Sequence, residues 1–439
     1  MKTFRRLIAI LIAIVAVIWF ASPAWGFCGF YVAKADTKLY NKASQVIIAR
    51  DSSSTILTMA NDYQGNVKDF ALVVPVPVVL QQEQVRVGNP KIIERLDSFS
   101  APRLVEYFDP DPCTTPPAPL LSRSRGAPQA ADIAAETREQ NALGVTVEAR
   151  FTVGEYDILI LSARESNGLA TWLQTNGYRI PQGASQLLQP YIRQNIKFFV
   201  AKINLAAFEK SGFQFLRPLQ IAYESPRFML PIRLGTINAT SEQDLIVYLL
   251  SPKGQTEITN YRTVKIPSDT EIPVFVKNEF GDFYKAMFKT AHTKEGKNIA
   301  FLEYAWDMGG CDPCSAEPLD REELRQAGVF WLTPERATNV FITRLHVRYT
   351  RDKFPEDLMF QETSNRQFFQ GRYILRHPFT GAINCQAGER YKRSLTERFE
   401  REAKTLAQLT GWNIQDIRKQ MPSTPTQSQN NPFWRNIWP

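Results

Sequence analysis

The sequence predicts an α+β fold that is rich in sheet, with predominantly antiparallel strands and a few packed helices. The first observation is a series of short segments in which apolar and polar residues alternate, as at residues 145–153. The second is turn-forming chemistry between such segments, for example the Gly and Asn/Asp residues within 61–66. The third is that helical spacing occurs in only a few segments, such as residues 395–410. A chain of 439 residues with 44% hydrophobic residues can bury substantial cores, and its length predicts two or three subdomains.

Residues 1–26 have the pattern of a secretory signal peptide. Lys2, Arg5 and Arg6 precede an apolar run at residues 7–20, and small residues such as Gly26 stand where signal peptidase reads the chain. The run of about 14 residues is shorter than the roughly 20 that a helix needs to span a bilayer. We therefore expect cleavage before Phe27, export to the periplasm or the extracellular space, and no transmembrane segment in the mature chain. An uncleaved membrane anchor is the alternative.

Residues 27–113 form a predicted N-terminal, sheet-rich region. Strand-like segments at residues 45–50, 54–60 and 70–75 predict one antiparallel sheet. Pro75 and Pro77 cannot donate ladder hydrogen bonds, so the third strand should lie at an edge or finish in extended chain. Residues 92–99 predict a short helix.

Residues 114–143 are predicted to be a linker. The segment combines a proline cluster, a Ser-Arg-Ser-Arg-Gly stretch and a run rich in Ala, Glu and Gln. Its low hydrophobicity cannot offset the entropy lost on ordering, so limited proteolysis is expected to cut there first.

Residues 144–388 are predicted to form an α+β body. Ser166 is expected to cap a helix that carries Trp172 and ends at Asn176-Gly177, and a second helix is expected at residues 185–193. Further strands are predicted at residues 145–153, 156–161, 197–205, 218–223, 228–234, 245–251, 262–266, 298–306, 341–349 and 370–378.

Residues 389–439 are predicted to hold a C-terminal helix and a polar tail. The helix should span residues 395–410 and end at Gly411. The tail from Pro422 is polar and punctuated by prolines, with three aromatic residues at Phe433, Trp434 and Trp438 that offer contacts to the body or to a partner.

The charge of the chain gives little indication of a partner. The formal net charge is +8, and removal of the signal peptide leaves about +5. Because no block of five or more like charges occurs, the sequence predicts no nucleic-acid partner and leaves an envelope surface or a protein as the partner class.

Cysteines are the first candidate functional residues. In an oxidising compartment the five cysteines are expected to pair, which leaves one over: Cys28, Cys113, Cys311, Cys314 and Cys385. Cys311 and Cys314 form a C-x-P-C pair between a predicted strand and a predicted helix at residues 320–326, an order similar to the thioredoxin active site. Gly309-Gly310 and Pro318 interrupt that order and favour a structural disulfide over a catalytic dithiol.

Other site chemistry is sparse in the sequence. The three histidines, His292, His346 and His377, lack metal-binding spacing, and the sequence predicts neither a metal site nor a cofactor. Asp109 and Asp111 offer oxygens to calcium, but flanking prolines favour a capped turn instead. No G-x-S-x-G, H-E-x-x-H, S-x-x-K or Walker A motif is present.

Several segments resemble a bacterial family catalogued as domain of unknown function number 2330. They are residues 28–30 (CGF), 69–77 (DFALVVPVP), 156–161 (YDILIL), 172–173 (WL), 311–314 (CDPC) and 375–379 (LRHPF). The resemblance implies an exported protein with no assigned activity, so it supplies no catalytic residues. It also favours one continuous unit, broken by a variable linker, over unrelated fused domains.

Three function classes remain open at this point. An extracytoplasmic structural or binding protein leads, because the chain combines a signal peptide and stapling cysteines with no recognisable reactive cluster. The alternatives are a thiol-disulfide protein that uses Cys311 and Cys314, and an envelope hydrolase whose catalytic residues are dispersed along the chain. The sequence thus leans away from an enzyme.

Overall fold

A computed structural model describes residues 30–34, 40–41, 44–60, 63–64, 70–114, 145–176, 178–179, 183–212, 216–237, 242–311, 316–333 and 339–422. The predicted signal peptide, all of the predicted linker except Thr114, and the tail from residue 423 lie outside these ranges. So do Cys28 and Cys314.

The predicted α+β class is confirmed, and most strand pairs are antiparallel. The strands are β1 Phe30–Lys34, β2 Tyr40–Asn41, β3 Ser44–Asp51, β4 Ser54–Met59, β5 Tyr63–Gln64, β6 Phe70–Val76, β7 Val85–Val87, β8 Arg103–Phe108, β9 Val145–Val153, β10 Tyr156–Ala163, β11 Tyr178–Arg179, β12 Lys197–Ile203, β13 Leu219–Glu224, β14 Met229–Leu230, β15 Gln243–Ser251, β16 Thr256–Ile258, β17 Arg262–Lys265, β18 Thr270–Ile272, β19 Ile299–Asp307, β20 Phe341–Tyr349, β21 Leu358–Glu362, β22 Phe369–Gln370 and β23 Arg372–His377.

Eight α-helices accompany the strands within the described ranges. They are α1 Pro90–Ser100, α2 Ser166–Thr175, α3 Ala184–Arg193, α4 Leu205–Ser211, α5 Phe280–Lys294, α6 Arg321–Gln326, α7 Gln386–Thr410 and α8 Ile414–Gln420. None of the helices in the described ranges is both long enough and apolar enough to cross a membrane.

Two large sheets form the centre of the fold. A six-stranded sheet has the order β11-β1-β6-β12-β10-β9. A nine-stranded sheet has the order β17-β19-β20-β15-β3-β4-β13-β7, with β22 paired to β19. Smaller sheets pair β14-β21-β16, β18-β23-β8 and β2-β5. Strands from the predicted N-terminal region and from the predicted body therefore belong to the same two sheets.

Alternation along the strands builds a layered core. Val46 and Ile48 of β3 pack toward the six-stranded sheet in one apolar cluster, together with Leu72 and Val74 of β6. The intervening Ile47 faces the other way, into a cluster with α1. Other side chains of the six-stranded sheet pack against α2 and α3 on its far face. Because side chains of a strand point alternately to its two faces, the order of the layers is helix, sheet, sheet and helix.

One predicted pairing is wrong. The strand at residues 70–75 does not join β3 and β4 in one antiparallel sheet but lies in the six-stranded sheet, between β1 and β12. Its prolines remain compatible with that place, because β1 pairs only with Phe70–Val73 within the described residues and β6 ends at Val76. Pro75 therefore faces β12 alone.

Three predicted element boundaries also differ. Glu165, not Ser166, occupies the N-cap of α2, without a side-chain cap bond. The helix predicted from residue 395 begins at Gln386, because the side chain of Cys385 caps it. The strand predicted at residues 228–234 is reduced to Met229–Leu230, since the chain then turns into a 3-10 helix.

Candidate functional site

A surface groove lies at the β7 end of the nine-stranded sheet. It consists of two neighbouring cavities of about 360 Å³ and about 510 Å³, which share Arg86 and Gln220 in their linings. The first cavity extends to Gly328 and Phe330 after α6, and the second extends to the start of α1 at Pro90. We call this combined site the Arg86 groove. Each of its cavities is in the volume range of small-molecule sites.

The floor of the Arg86 groove is a row of polar side chains across three strands. Arg86 of β7 stands opposite Gln220 of β13, which stands opposite Thr58 of β4. Nε of Arg86 donates to Oε1 of Gln220, and Nε2 of Gln220 donates to Oγ1 of Thr58 at 2.6 Å. Gln220 is only 1% exposed, so its amide fixes the position of Arg86 from beneath.

The wall of the groove is α6 and the turn that follows it. Asp320 and Glu323 form a capping box that starts α6. The carboxylate of Glu323 also binds the guanidinium of Arg95, Oε1 to Nε at 2.8 Å, and so ties α6 to α1. The turn ends at Gly328, whose φ is +100° and where an added Cβ would lie 2.7 Å from Cγ2 of Ile56. Only glycine lets this turn approach β4 so closely.

The charge of the groove is mainly positive. The charged side chains among its described lining residues are one glutamate and four basic residues: Glu83, Arg86, Lys91, Arg217 and Arg325. Arg217 is neutralised by the buried Glu155, Nη2 to Oε2 at 2.6 Å. Arg86 instead donates to neutral oxygens, those of Gln220 and of the Arg325 backbone. The exposed guanidinium of Arg86 therefore retains its capacity for an anion.

A second polar cluster lies inside the fold, where α5 covers β15, β19 and β20. Glu303 accepts hydrogen bonds from Nε of Arg344 at 2.6 Å and from the hydroxyl of Tyr284, and its Oε1 lies 2.7 Å from Nδ1 of His346. Nε2 of His346 lies 3.1 Å from Oδ1 of Asp244, which also binds Arg348. We call this set the buried ionic network.

A β-bulge lies beside the buried ionic network. The register between β19 and β20 shifts between Leu302 and Tyr304, so Glu303 is the extra residue. Glu303 keeps the alternation of the strand and faces α5 as Phe301 does, whereas the bulge brings Tyr304 to the same side of the sheet. Glu303 and Tyr304 thus share the helix-covered face of the sheet.

The electrostatics of the network follow from burial against neighbouring charge. Burial would raise the pKa of Glu303, but the charges of His346 and Arg344 outweigh it and lower the pKa to about 2. Burial would lower the pKa of His346, but the carboxylates of Glu303 and Asp244 raise it instead. The ring of Phe288 covers His346 at a centroid distance of 4.0 Å. The network therefore joins β15, β19 and β20 beneath α5 through buried, paired side chains.

The cysteines lie in two described places. Cys113, after β8, forms a disulfide with Cys385, 272 residues further along the chain. Cys311 is also disulfide-bonded. Sγ of Cys385 accepts a hydrogen bond from the backbone N–H of Gly388 at 3.2 Å and caps α7.

The aspartates near Cys113 form the predicted capped turn. Oδ1 of Asp111 accepts the backbone N–H of Cys113 at 2.8 Å. Asp109 binds Nη1 of Arg398 and the hydroxyl of Tyr391, each at 2.6 Å, so it fixes this turn to α7.

The three histidines lie in different settings. Nε2 of His292 lies 3.1 Å from the backbone oxygen of Arg348, and Nε2 of His377 lies 2.8 Å from the carboxylate of Glu106. His346 belongs to the buried ionic network. Within the described part of the chain, no group of three or more His, Cys, Asp or Glu residues is arranged to hold a metal ion.

Sequence reasoning missed both polar clusters. The groove depends on β7, a strand of three residues that is too short to give a periodic signal. The buried ionic network did leave a signal, because Glu303, Arg344 and His346 interrupt otherwise apolar strands. A charged residue inside a buried strand needs a partner of opposite charge. The glutamate of one predicted strand and the basic residues of another could therefore have predicted that the two strands are neighbours.

Comparison with known proteins adds a family assignment. A family described as an uncharacterized protein conserved in bacteria (DUF2330) matches residues 22–361. The chain belongs to this family. The DUF2330 match includes the Arg86 groove, the buried ionic network and Cys113, and it ends before Cys385 and before residues 375–379. The searches of curated proteins and of solved structures found no match.

Proposed function

We propose that this DUF2330 protein is an exported binding protein whose Arg86 groove takes a small anionic ligand. The observation that carries the proposal is the pair of adjoining cavities, about 360 Å³ and 510 Å³, that meet at Arg86 and Gln220. Most ligand sites have volumes of about 300–1,000 Å³ and contain a few fixed polar groups. The hydrogen-bonded floor of the groove supplies such groups.

The chemistry of the groove favours carboxylate or phosphate groups. Arg86 lines both cavities, Lys91 lines the second, and Arg325 lines the first together with Glu83, the one acidic residue among the described lining residues. A guanidinium binds planar anions in a bidentate manner, which a lysine cannot do. Ile56, Val329 and the half-exposed ring of Phe330 add apolar surface for the body of the ligand.

Two features support export. The N-terminal segment has the pattern of a secretory signal peptide, with Lys2, Arg5 and Arg6 before an apolar run. The Cys113–Cys385 disulfide is of a kind that persists in oxidising compartments. N-terminal sequencing of the exported protein should begin at Phe27, and retention of Met1 in a detergent-released membrane fraction would contradict export by cleavage.

Calorimetric titration tests the binding function. The mature protein is titrated with citrate and, separately, with inorganic phosphate, so that the two anion classes are distinguished. Arg86→Met should weaken binding of the preferred anion by about tenfold or more, because it removes a charge-assisted contact. Arg262→Met is the matched control, since Arg262 lies on β17 at the opposite end of the same sheet and is paired with Glu295. Equal affinities in the two variants, or binding of neither anion at millimolar concentration, would contradict the proposal.

The alternative is a thiol-disulfide protein that uses Cys311 and Cys314. The observation in its favour is that Cys311 is disulfide-bonded. Its reduction potential decides the question, because a value near those of catalytic dithiols supports this alternative and a strongly reducing value supports a structural bond.

A further inference from the structure

The two sulfurs of the Cys113–Cys385 disulfide have different surroundings. Cys113 is exposed at the end of the turn that follows β8. Cys385 is half-buried, and its Sγ caps the 25-residue helix α7 by accepting the N–H of Gly388 at 3.2 Å. Cys113 is therefore the more exposed residue of the pair, whereas Sγ of Cys385 is engaged by a backbone N–H at the start of α7.

This asymmetry determines how the bond would open. In thiol-disulfide exchange, the attacking thiolate reaches the more accessible sulfur, and the sulfur that is more stable as a thiolate leaves faster. The N-terminus of a helix stabilises negative charge, so a cysteine at that position loses its thiol proton more readily. At Cys113 the nearby carboxylate of Asp111, which accepts the Cys113 N–H, opposes negative charge. The greater exposure of Cys113 and the greater stability of a thiolate at Cys385 thus both favour attack at Cys113.

We propose that the Cys113–Cys385 disulfide is a thiol-exchange site that an exported dithiol attacks at Cys113. The partner thiolate forms a new S–S bond to Sγ of Cys113. The Cys113–Cys385 bond breaks, and its electron pair leaves with Sγ of Cys385 as a thiolate. The second thiolate of the partner then attacks the partner sulfur of the mixed disulfide and releases Cys113 as a thiolate. The pair gains two electrons, the partner becomes a disulfide, and the two partner protons go to solvent or to the released thiolates.

The surrounding contacts keep both sides of the opened bond in place. Asp109 remains bound to Arg398 and Tyr391 of α7, at 2.6 Å each. β8 remains paired with β23 up to the Phe108–His377 register position. Glu389 is the acidic residue in the first turn of α7, and its carboxylate is bound by Lys392 at 2.8 Å. Exchange therefore opens the turn around Cys113 without undocking α7.

Peptide mapping of the wild-type protein provides the first test. The oxidised mature protein is exposed to limiting glutathione, which forms the mixed disulfide but lacks the second thiol, and the adducts are located by mass spectrometry. The adduct should lie on Cys113 about tenfold more often than on Cys385, given the difference in access and leaving group. A majority on Cys385, or no adduct while the protein stays folded by circular dichroism, would overturn the proposal.

Single-cysteine variants provide the second test. Cys113→Ser leaves Cys385 as the thiol at the helix cap, and Cys385→Ser leaves Cys113 as its matched control. The rate of alkylation by iodoacetamide is followed against pH on the peptide that carries each cysteine. The midpoint of the profile for Cys385 should lie about one pH unit or more below that for Cys113. Coincident or reversed midpoints would overturn the proposal. If either variant fails to fold, the peptide mapping of the wild-type protein still tests the proposal.

Discussion

Arg344 and Arg86 lie on the same nine-stranded sheet and show two uses of an arginine. The side chain of Arg344 is 6% exposed and binds the carboxylates of Glu303 and Asp97 at 2.6 and 2.7 Å. Arg86 is exposed, and its bonds go to neutral oxygens. Pairing with two carboxylates in the interior makes Arg344 part of the fold, whereas Arg86 bonds only neutral oxygens at the surface, as the proposed anion site requires. Position relative to the helix layer, and not residue type, sets the role.

Removal of the buried arginine should have the largest effect on stability. Arg344→Met leaves Glu303 as a buried carboxylate without one of its two cationic partners, and we expect a loss of about 3–5 kcal/mol in the free energy of unfolding. Denaturant unfolding followed by circular dichroism measures it. A loss below about 1 kcal/mol would show that the network does not hold the three strands.

The histidine of the same network should make stability fall as the pH rises above 6.5. The folded pKa of His346 is raised above its ordinary value of 6.5, so its contribution is complete below that pH and is lost as the pH rises through the folded pKa. His346→Gln should cost about 2 kcal/mol near pH 6 and less at higher pH, because charge-assisted hydrogen bonds are replaced by neutral ones. Unfolding free energies measured across the pH range test this, and a constant difference would contradict it.

Glu303 should control the acid side of the same profile. Its folded pKa of about 2 lies below the ordinary value of 4.5, so its contribution is complete above pH 4.5 and is lost as the pH falls toward about 2. The network alone therefore predicts highest stability between these two titrations.

Glu402 offers a contrasting buried carboxylate. Its Oε1 lies 3.4 Å from Nε of Arg398, and the guanidinium of Arg398 is also bound by Asp109. Burial raises the pKa of Glu402 to about 7. A raised pKa gives stability that is complete below 4.5 and lost as the pH rises through about 7. Glu402→Gln should therefore stabilise the protein by about 1–2 kcal/mol at pH 8 and leave it unchanged at pH 4. Equal effects at both pH values would indicate loss of packing instead.

The smallest effect on stability is expected at the groove. Arg86→Met should lower the free energy of unfolding by about 1 kcal/mol, since Arg86 is exposed but supplies the hydrogen bond to Oε1 of the buried Gln220. The same denaturant series measures it beside Arg344→Met. A loss as large as that of Arg344→Met would remove the distinction between the two arginines.

The sequence predicted the structural features that depend on the local pattern of residues. β20 was expected at residues 341–349 and is found there, because its apolar residues and β-branched neighbours are typical of a buried strand. The sheet assignment of residues 70–75 failed, because β6 pairs with β12, more than a hundred residues away. The start of α7 was missed, since cysteine is not among the usual N-cap residues. The Arg86 groove needs Arg86 and Gln220 to meet across β7 and β13, a register that no local signal encodes.

The parallel pairing of β3 with β15 has a consequence for how the chain folds. Ser44 pairs with Leu245, about two hundred residues later, and β3 lies between β4 and β15 in the middle of the sheet. Contacts so distant in sequence form only after a long loop has closed, at a cost in entropy, and proteins with such topologies fold slowly. Until β15 has been synthesised and has docked, one edge of β3 stays unpaired and can associate with other chains. The order in which the strands emerge therefore leaves this edge of β3 exposed to association until residue 251 has been synthesised.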